Sequence, residues 1–268
     1  MKIAWVTDIH LDRLNERDYL EYNEYLQELN PDGLIISGDI AEGQKVCQSL
    51  KDFDELFDFP IYFVLGNHDF YFNTFAEKEK EVSDLVKNSK SLNWLTEAEV
   101  IALNDSIALI GVEGWGDGRN GTVDIGKGYT KDLILIENYK GLTKEAIVGL
   151  LNARGEYYAE ILRPKLLDAV KKYEKVILVT HVPPFVEVCI DRSLRIYDEF
   201  RQPYYTCKVI GDMLLEVMSN NPACQMTVLC GHTHETADVK FLENLRVRVK
   251  ESIYGSWWDA TMIDLDKL

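Results

Sequence analysis

The chain predicts an α/β fold, and three observations carry the prediction. Short continuous apolar runs stop abruptly at polar motifs, helix-length segments lie between them, and the motifs contain all five histidines of the sequence. The runs cover residues 3–7, 33–37, 61–65, 107–112, 176–180 and 226–230. Uninterrupted apolar stretches of that length suit strands buried on both faces. Helix-like segments fall at about 16–29, 43–57, 74–88, 143–172 and 206–220. Pro31-Asp32-Gly33 closes the first and Asn220-Asn221-Pro222 the last. Such alternation puts polar residues at the carboxyl ends of the strands, where open α/β sheets bind ligands.

After His234 the pattern changes. Residues 236–241, 246–250 and 261–265 read as a meander that closes a second sheet. Residues 111–128 contain seven glycines and few apolar side chains, which predicts a long mobile loop. No internal repeat, low-complexity stretch or linker interrupts the chain, so residues 1–268 are expected to form one domain.

Hydrophobic residues make up 46% of the chain, enough for a sizeable core. Asp and Glu number 45 against 29 Lys and Arg, giving a net charge of −16 and a pI near 4.8. That balance argues against a nucleic-acid binder relying on broad phosphate neutralisation. Polyanions are attracted only where bound cations reverse the local field. The five cysteines are odd in number, widely spaced and without a C-x-x-C pair, as expected of buried free thiols in a reducing compartment. Met1-Lys2 leads straight into a strand-like run too short for a signal peptide. No run approaches the ~18 apolar residues needed to span a bilayer. A soluble cytoplasmic protein with no membrane partner is expected; nothing in the sequence addresses its oligomeric state.

The motifs read Asp8-Ile9-His10, Gly38-Asp39, Gly66-Asn67-His68-Asp69, Thr180-His181 and Gly231-His232-Thr233-His234. Asp8 and His10 stand at i and i+2 just past a strand, a spacing that lets both side chains face one ion. Asp39 follows a glycine that allows close backbone approach, and its carboxylate can bridge two cations. Asn67 adds a neutral oxygen. His181 and the pair His232 and His234 add imidazoles. Seven ligands exceed what one ion takes from protein, and two ions sharing Asp39 would use them well. A nitrogen and oxygen set without thiolate suits Mn, Fe, Zn, Co or Ni rather than Mg or Ca.

In order and spacing these blocks resemble the calcineurin-like metallophosphoesterase superfamily, with Gly38-Asp39-x-x-Glu42 as the second block. The resemblance runs from residue 8 to residue 234. It implies a four-layer αββα sandwich of two mixed β-sheets flanked by helices, with a dinuclear site at the sheet edges. Carried over by motif, one metal would take Asp8, His10, Asp39 and His234, and the other Asp39, Asn67, His181 and His232. His68 would be a proton donor or phosphate contact oriented by Asp69. The expected cofactors are two divalent or trivalent transition-metal ions, manganese first. The expected reaction is cleavage of a phosphate mono- or diester of a small molecule, by in-line attack of a hydroxide bridging the two ions. The chain departs from the serine/threonine phosphatase branch, which has an aspartate followed by arginine and glycine in its second block and an arginine after its asparagine-histidine block: here the second block is Gly38-Asp39-Ile40-Ala41-Glu42-Gly43, and Phe70 follows Asp69. A purple acid phosphatase's metal-binding tyrosine after the bridging aspartate is also missing. A nuclease on the same fold and a non-catalytic scaffold are the alternatives.

Several residues stay open between pocket and packing. Tyr71, directly after the motif loop, is a weak candidate for substrate contact, within the cluster Phe70-Tyr71-Phe72; Trp257-Trp258 is read either way. Arg119, Lys127 and Arg154 are candidate phosphate contacts. Glu42 reads as a substrate or water contact or as a plain acid at a helix N-terminus. Residues 185–205, with three arginines and several tyrosines, read as a substrate-selecting lid or as a surface loop.

Overall fold

The computed structural model describes residues 1–126, 131–257 and 259–268. Two β-sheets lie face to face. The first contains β1 (Lys2–Val6), β2 (Gly33–Ser37), β3 (Ile61–Val64), β4 (Leu92–Trp94) and β11 (Thr261–Asp264), in the order β11-β1-β2-β3-β4. The second contains β5 (Ile101–Ala102), β6 (Ile107–Gly111), β7 (Lys175–Val179), β8 (Gln225–Cys230), β9 (Ala237–Leu242) and β10 (Leu245–Val249), in the order β5-β6-β7-β8-β10-β9. β1 to β4 run parallel, as do β6, β7, β8 and β10; β5, β9 and β11 are antiparallel edge strands.

The continuous apolar runs are explained by burial on both faces. Alternate residues Ile3, Trp5, Ile35, Leu109, Ile177 and Val179 fill the layer between the sheets. Their neighbours Ala4, Val6, Leu34, Ile36, Ile110 and Leu178 face outward into the helix-covered core. The longer helices are α1 (Glu16–Glu28), α2 (Val46–Leu56), α3 (Phe75–Val86), α5 (Lys144–Lys172) and α7 (Lys208–Ser219); α4 (Asp132–Leu135) and α6 (Gln202–Tyr205) are single turns. Asn15 caps α1, Thr74 and Glu77 form a capping box on α3, and Thr143 caps α5. The result is the four-layer αββα sandwich.

Three features differ from the sequence expectation. The short strands β4 and β5 carry no signal in the sequence pattern. The C-terminal segment does not close one sheet: β9 and β10 form a hairpin on the second sheet, while β11 crosses back to pair with β1 in the first. Residues 111–117 of the glycine-rich segment are buried, and only the part beyond them reaches the surface. Within it, Trp115 packs edge-on against Phe70 and Phe75 and donates to the Tyr139 hydroxyl. Its last two residues, Lys127 and Gly128, lie outside the described residues, as does Trp258.

Glu113, just past β6, ties the sheets together. Its fully buried carboxylate accepts from the Trp94 indole at 2.6 Å, from the Thr96 hydroxyl and from the Leu65 amide. Its carbonyl accepts from the amides of His181 and Val182. Glu113→Leu should therefore leave buried donors unpaired and lower the unfolding free energy by about 2–4 kcal/mol in urea denaturation. Glu113→Gln, which keeps an acceptor, should lose less; equal stability of Glu113→Leu and wild type would contradict this role.

Candidate metal centre

The parallel strands of both sheets point their carboxyl ends at one edge, and the motif residues follow directly. β1 leads to Asp8 and His10, β2 to Asp39, β3 to Asn67 and His68, β7 to His181, and β8 to His232 and His234. The pairing of Asp8 with His10 does not come from strand alternation. Asp8, His10, Asp39, His232 and His234 all adopt left-handed backbone, with φ of 47°, 39°, 52°, 72° and 60°. Non-glycine residues rarely hold such φ, and clusters of them mark functional sites. Loop-to-loop hydrogen bonds hold the conformation: Asp8 N to Gly38 O and His10 N to Asp39 O, both at 3.0 Å. Gly38, at φ 92°, is required here, since a Cβ would lie 2.5 Å from His181 Nδ1.

Two donor sets meet at Asp39. In the first, the ligand atoms of Asp8, His10, Asp39 and His234 all lie within 4.8 Å of one another, a group that could hold a metal ion. His234 Nε2 is 3.1 Å from Asp8 Oδ1, and His10 Nε2 is 3.6 Å from Asp39 Oδ2. Both ring nitrogens of His10 are buried without a hydrogen-bond partner among the described residues. In the second, His181 Nε2 lies 3.0 Å from Asn67 Oδ1 and 3.5 Å from Asp39 Oδ1. The His232 ring stands edge-on to His181, with centroids 5.0 Å apart.

The tautomers reinforce this reading. His181 Nδ1 donates to the Ser37 carbonyl at 2.9 Å, which leaves a lone pair on Nε2. The Asn67 amide nitrogen donates to Asp132 Oδ1 at 2.8 Å, so its oxygen is the atom facing His181. Two lone-pair atoms thus stand 3.0 Å apart, a repulsive contact that a cation between them turns into coordination. Ligands bound at about 2.1 Å around one ion are separated by about 3–3.5 Å, close to the contacts of 3.1 and 3.6 Å in the first set and 3.0 and 3.5 Å in the second. His232 Nε2 donates to the Tyr204 carbonyl at 3.2 Å, which leaves Nδ1 as its lone-pair atom.

The electrostatics ask for positive charge. Burial, reinforced by the Asp8 and Asp69 carboxylates, pushes Asp39 well above the usual carboxylate range. Burial also opposes the charge on Asp8, but His234, His181 and His10 hold it below its ordinary value. Burial lowers His10 to about 3 and His68 to about 2, and it depresses His181 and His232. His234 is also opposed by burial, yet its contact with Asp8 raises it. Most imidazoles are therefore neutral, the form that binds metal, and they stand among buried carboxylates. The residues fit a pair of metal ions.

His68 shows a correction. Asp69 does not orient it: the Asp69 carboxylate accepts from the amides of Ile40, Ala41 and Gly66, fixing the loops that carry Asp39 and Asn67. Two carboxylates face His68: Glu42, 3.7 Å from Nδ1 and itself paired with Arg13, and Asp39, 3.9 Å from Nε2. Across the ring, the Tyr254 hydroxyl lies 3.4 Å from Nε2. The Tyr254 ring also lies 4.5 Å from both His10 and His234. Arg13 and Glu42 each follow a motif residue by three positions, a signal the sequence offered; nothing in it marked Tyr254.

A cavity of about 410 Å³ opens on the site. Tyr71 lines it, but the hydroxyl is committed to Asp132 at 2.9 Å, so a ring face is what it offers. Arg13, Lys131, Tyr205 and Tyr254, none predicted as site residues, complete its walls. Arg154 is not a phosphate contact: it is buried, paired with Glu79 and stacked 4.1 Å over Phe75. Arg119 pairs with Glu156. Trp257 packs on Tyr22 and Tyr25 of α1, away from the cavity. The segment 185–205 reaches the site through the Tyr204 carbonyl and the Tyr205 ring, 4.5 Å from His232.

Comparison with known proteins agrees with this geometry. The family model described as calcineurin-like phosphoesterase matches residues 1–236. A phosphopantetheinyl hydrolase from Mycobacterium tuberculosis superposes with a TM-score of 0.64 at 17% identity, over 93% of this chain and 89% of that one. A dimetal phosphatase from Danio rerio gives a TM-score of 0.61 at 11% identity, over 98% and 91%. At such identities these two likenesses show the fold alone. No curated protein matches the chain. The chain belongs to the calcineurin-like phosphoesterase family and is a metal-dependent phosphoesterase.

Proposed function

We propose that the protein is a phosphohydrolase that uses two transition-metal ions to cleave a phosphate mono- or diester of a small molecule. The observation that carries this reading is the division of Asp39. One oxygen faces His181 and the other faces His10, so a single buried carboxylate serves both donor sets. The first ion would be held by Asp8, His10, Asp39 and His234, the second by Asp39, Asn67, His181 and His232. Ions of this kind supply Lewis acidity toward phosphoryl oxygens and make water a nucleophile near neutral pH. Manganese is the first metal to test, and the same nitrogen and oxygen donors also admit Fe, Zn, Co or Ni.

The remaining work falls to the chain's own side chains. His68 lines the cavity beside Asp39, and in this reading it meets the leaving oxygen. Its ring rests neutral, and an arriving anionic ester favours the protonated form that donates from Nε2. The Tyr254 hydroxyl contacts the ring at Nε2, and Glu42 stands 3.7 Å from Nδ1 on the other side. Arg13 and Lys131 border the cavity and offer contacts to anionic groups of the substrate, while Tyr71, Tyr205 and Tyr254 narrow the access of water. We place the protein in the cytoplasm on the strength of its five cysteines, all buried and unpaired. Among the described residues no helix is long and apolar enough to cross a membrane.

Asp39→Asn should bind fewer than two ions per chain by elemental analysis, and turnover of bis-p-nitrophenyl phosphate should fall at least about 100-fold. Full metal content in this variant would refute the bridging role. His68→Ala should keep both ions while kcat on an alkyl ester falls about 10²–10⁴-fold, with a smaller loss on p-nitrophenyl esters, whose leaving group needs no proton. An equal loss on both substrates would show that His68 contacts phosphate without donating a proton.

A further inference from the structure

A second cavity of about 230 Å³ lies beside the first and shares three walls with it: Tyr205, His232 and Tyr254. His68 lines the first cavity but not the second; His234 lines the second but not the first. The two spaces therefore flank the donor cluster, with the two tyrosines as the partition. We propose that the second cavity is a subsite for the non-leaving arm of the substrate, and that the preferred substrates are small phosphodiesters. This rests on the phosphohydrolase reading above.

Three observations support it. In an in-line displacement the departing arm must lie where His68 can reach its oxygen, which assigns it to the first cavity. A diester's other arm then needs a separate place, and a monoester has no organic group to put there. The second cavity is furnished for an organic group. Ile253 exposes 43% of its surface at its wall, where Tyr197, Tyr205 and Tyr254 add aromatic side chains. Charge agrees. Arg13, bordering the first cavity, is paired with Glu42, and Arg192, bordering the second, lies 3.3 Å from Glu235. Both arginines are paired with carboxylates, and Lys131 at the wall of the first cavity adds one more cation, a match for the single negative charge of a diester.

The reaction is plain hydrolysis. The oxygen of water bonds to phosphorus and the bond to the leaving arm's oxygen breaks. That arm departs as an alcohol with the proton, and a monoester carrying the other arm remains beside Ile253.

The test compares kcat/KM for bis-p-nitrophenyl phosphate and p-nitrophenyl phosphate in the Mn²⁺-loaded full-length protein, wild type and Ile253→Trp, with Ile253→Glu as a second variant. Titration calorimetry with phenylphosphonate, a mimic of the retained product, accompanies the kinetics. The expected wild-type preference for the diester is at least about tenfold, and filling the cavity should cut that ratio at least about tenfold and weaken phenylphosphonate relative to inorganic phosphate. A monoester preference in the wild type, or an equal loss on both esters in correctly metallated variants, overturns the subsite. Turnover of neither ester by protein holding two ions would instead sink the phosphohydrolase reading, and the subsite with it.

Discussion

A carboxylate buried at the meeting point of two sheets governs the rest of this molecule. Asp39 is 1% exposed, and the carboxylates of Asp8 and Asp69 beside it make its charge harder still to hold. Removing such a group from water costs several kcal/mol unless partners replace the solvent. The chain supplies only part of that replacement: the His68 amide donates to Oδ1 at 2.9 Å, and the nearby imidazoles are mostly neutral. The balance calls for positive charge, and the lone pairs of His10, His181 and Asn67 are arranged around the places where cations would sit.

Holding that arrangement explains local features that would otherwise be liabilities. The left-handed backbone at five motif residues is unfavourable taken singly, and it persists because neighbouring loops hydrogen-bond to one another across the strand ends. Gly66 lets the β3 loop close over Asp39, where a Cβ would stand 2.1 Å from Oδ1. Asp69 spends its carboxylate on three amides of these loops. Glu113 fixes the second sheet to the first and positions the backbone of His181. The buried layer between the sheets makes the strand ends a rigid platform, against which displacements of the site would require moving whole strands.

Much of this was legible in the sequence because it is local. An apolar run that ends at a motif states both that a strand is buried on two faces and where its loop begins, so the main strands and the seven candidate ligands could be read from the chain. What the sequence hid is non-local. β4 and β5 are too short to give a period, and β11 joins β1 across nearly the whole chain length, a pairing no spacing rule reveals. Asp69 sits beside His68 in sequence yet faces backbone amides, because the turn at 68–70 rotates it inward. Tyr254 reaches the site from a C-terminal loop, a contact decided by tertiary packing alone.

The central claim, that Asp39 is shared by two ions, is tested most directly by anomalous diffraction from crystals of the protein loaded with Mn²⁺. The account predicts two anomalous peaks about 3.5–4 Å apart, one on the His10 and His234 side of Asp39 and one on the His181 and Asn67 side. A single peak on one side, or two peaks of which neither touches Asp39, would contradict it.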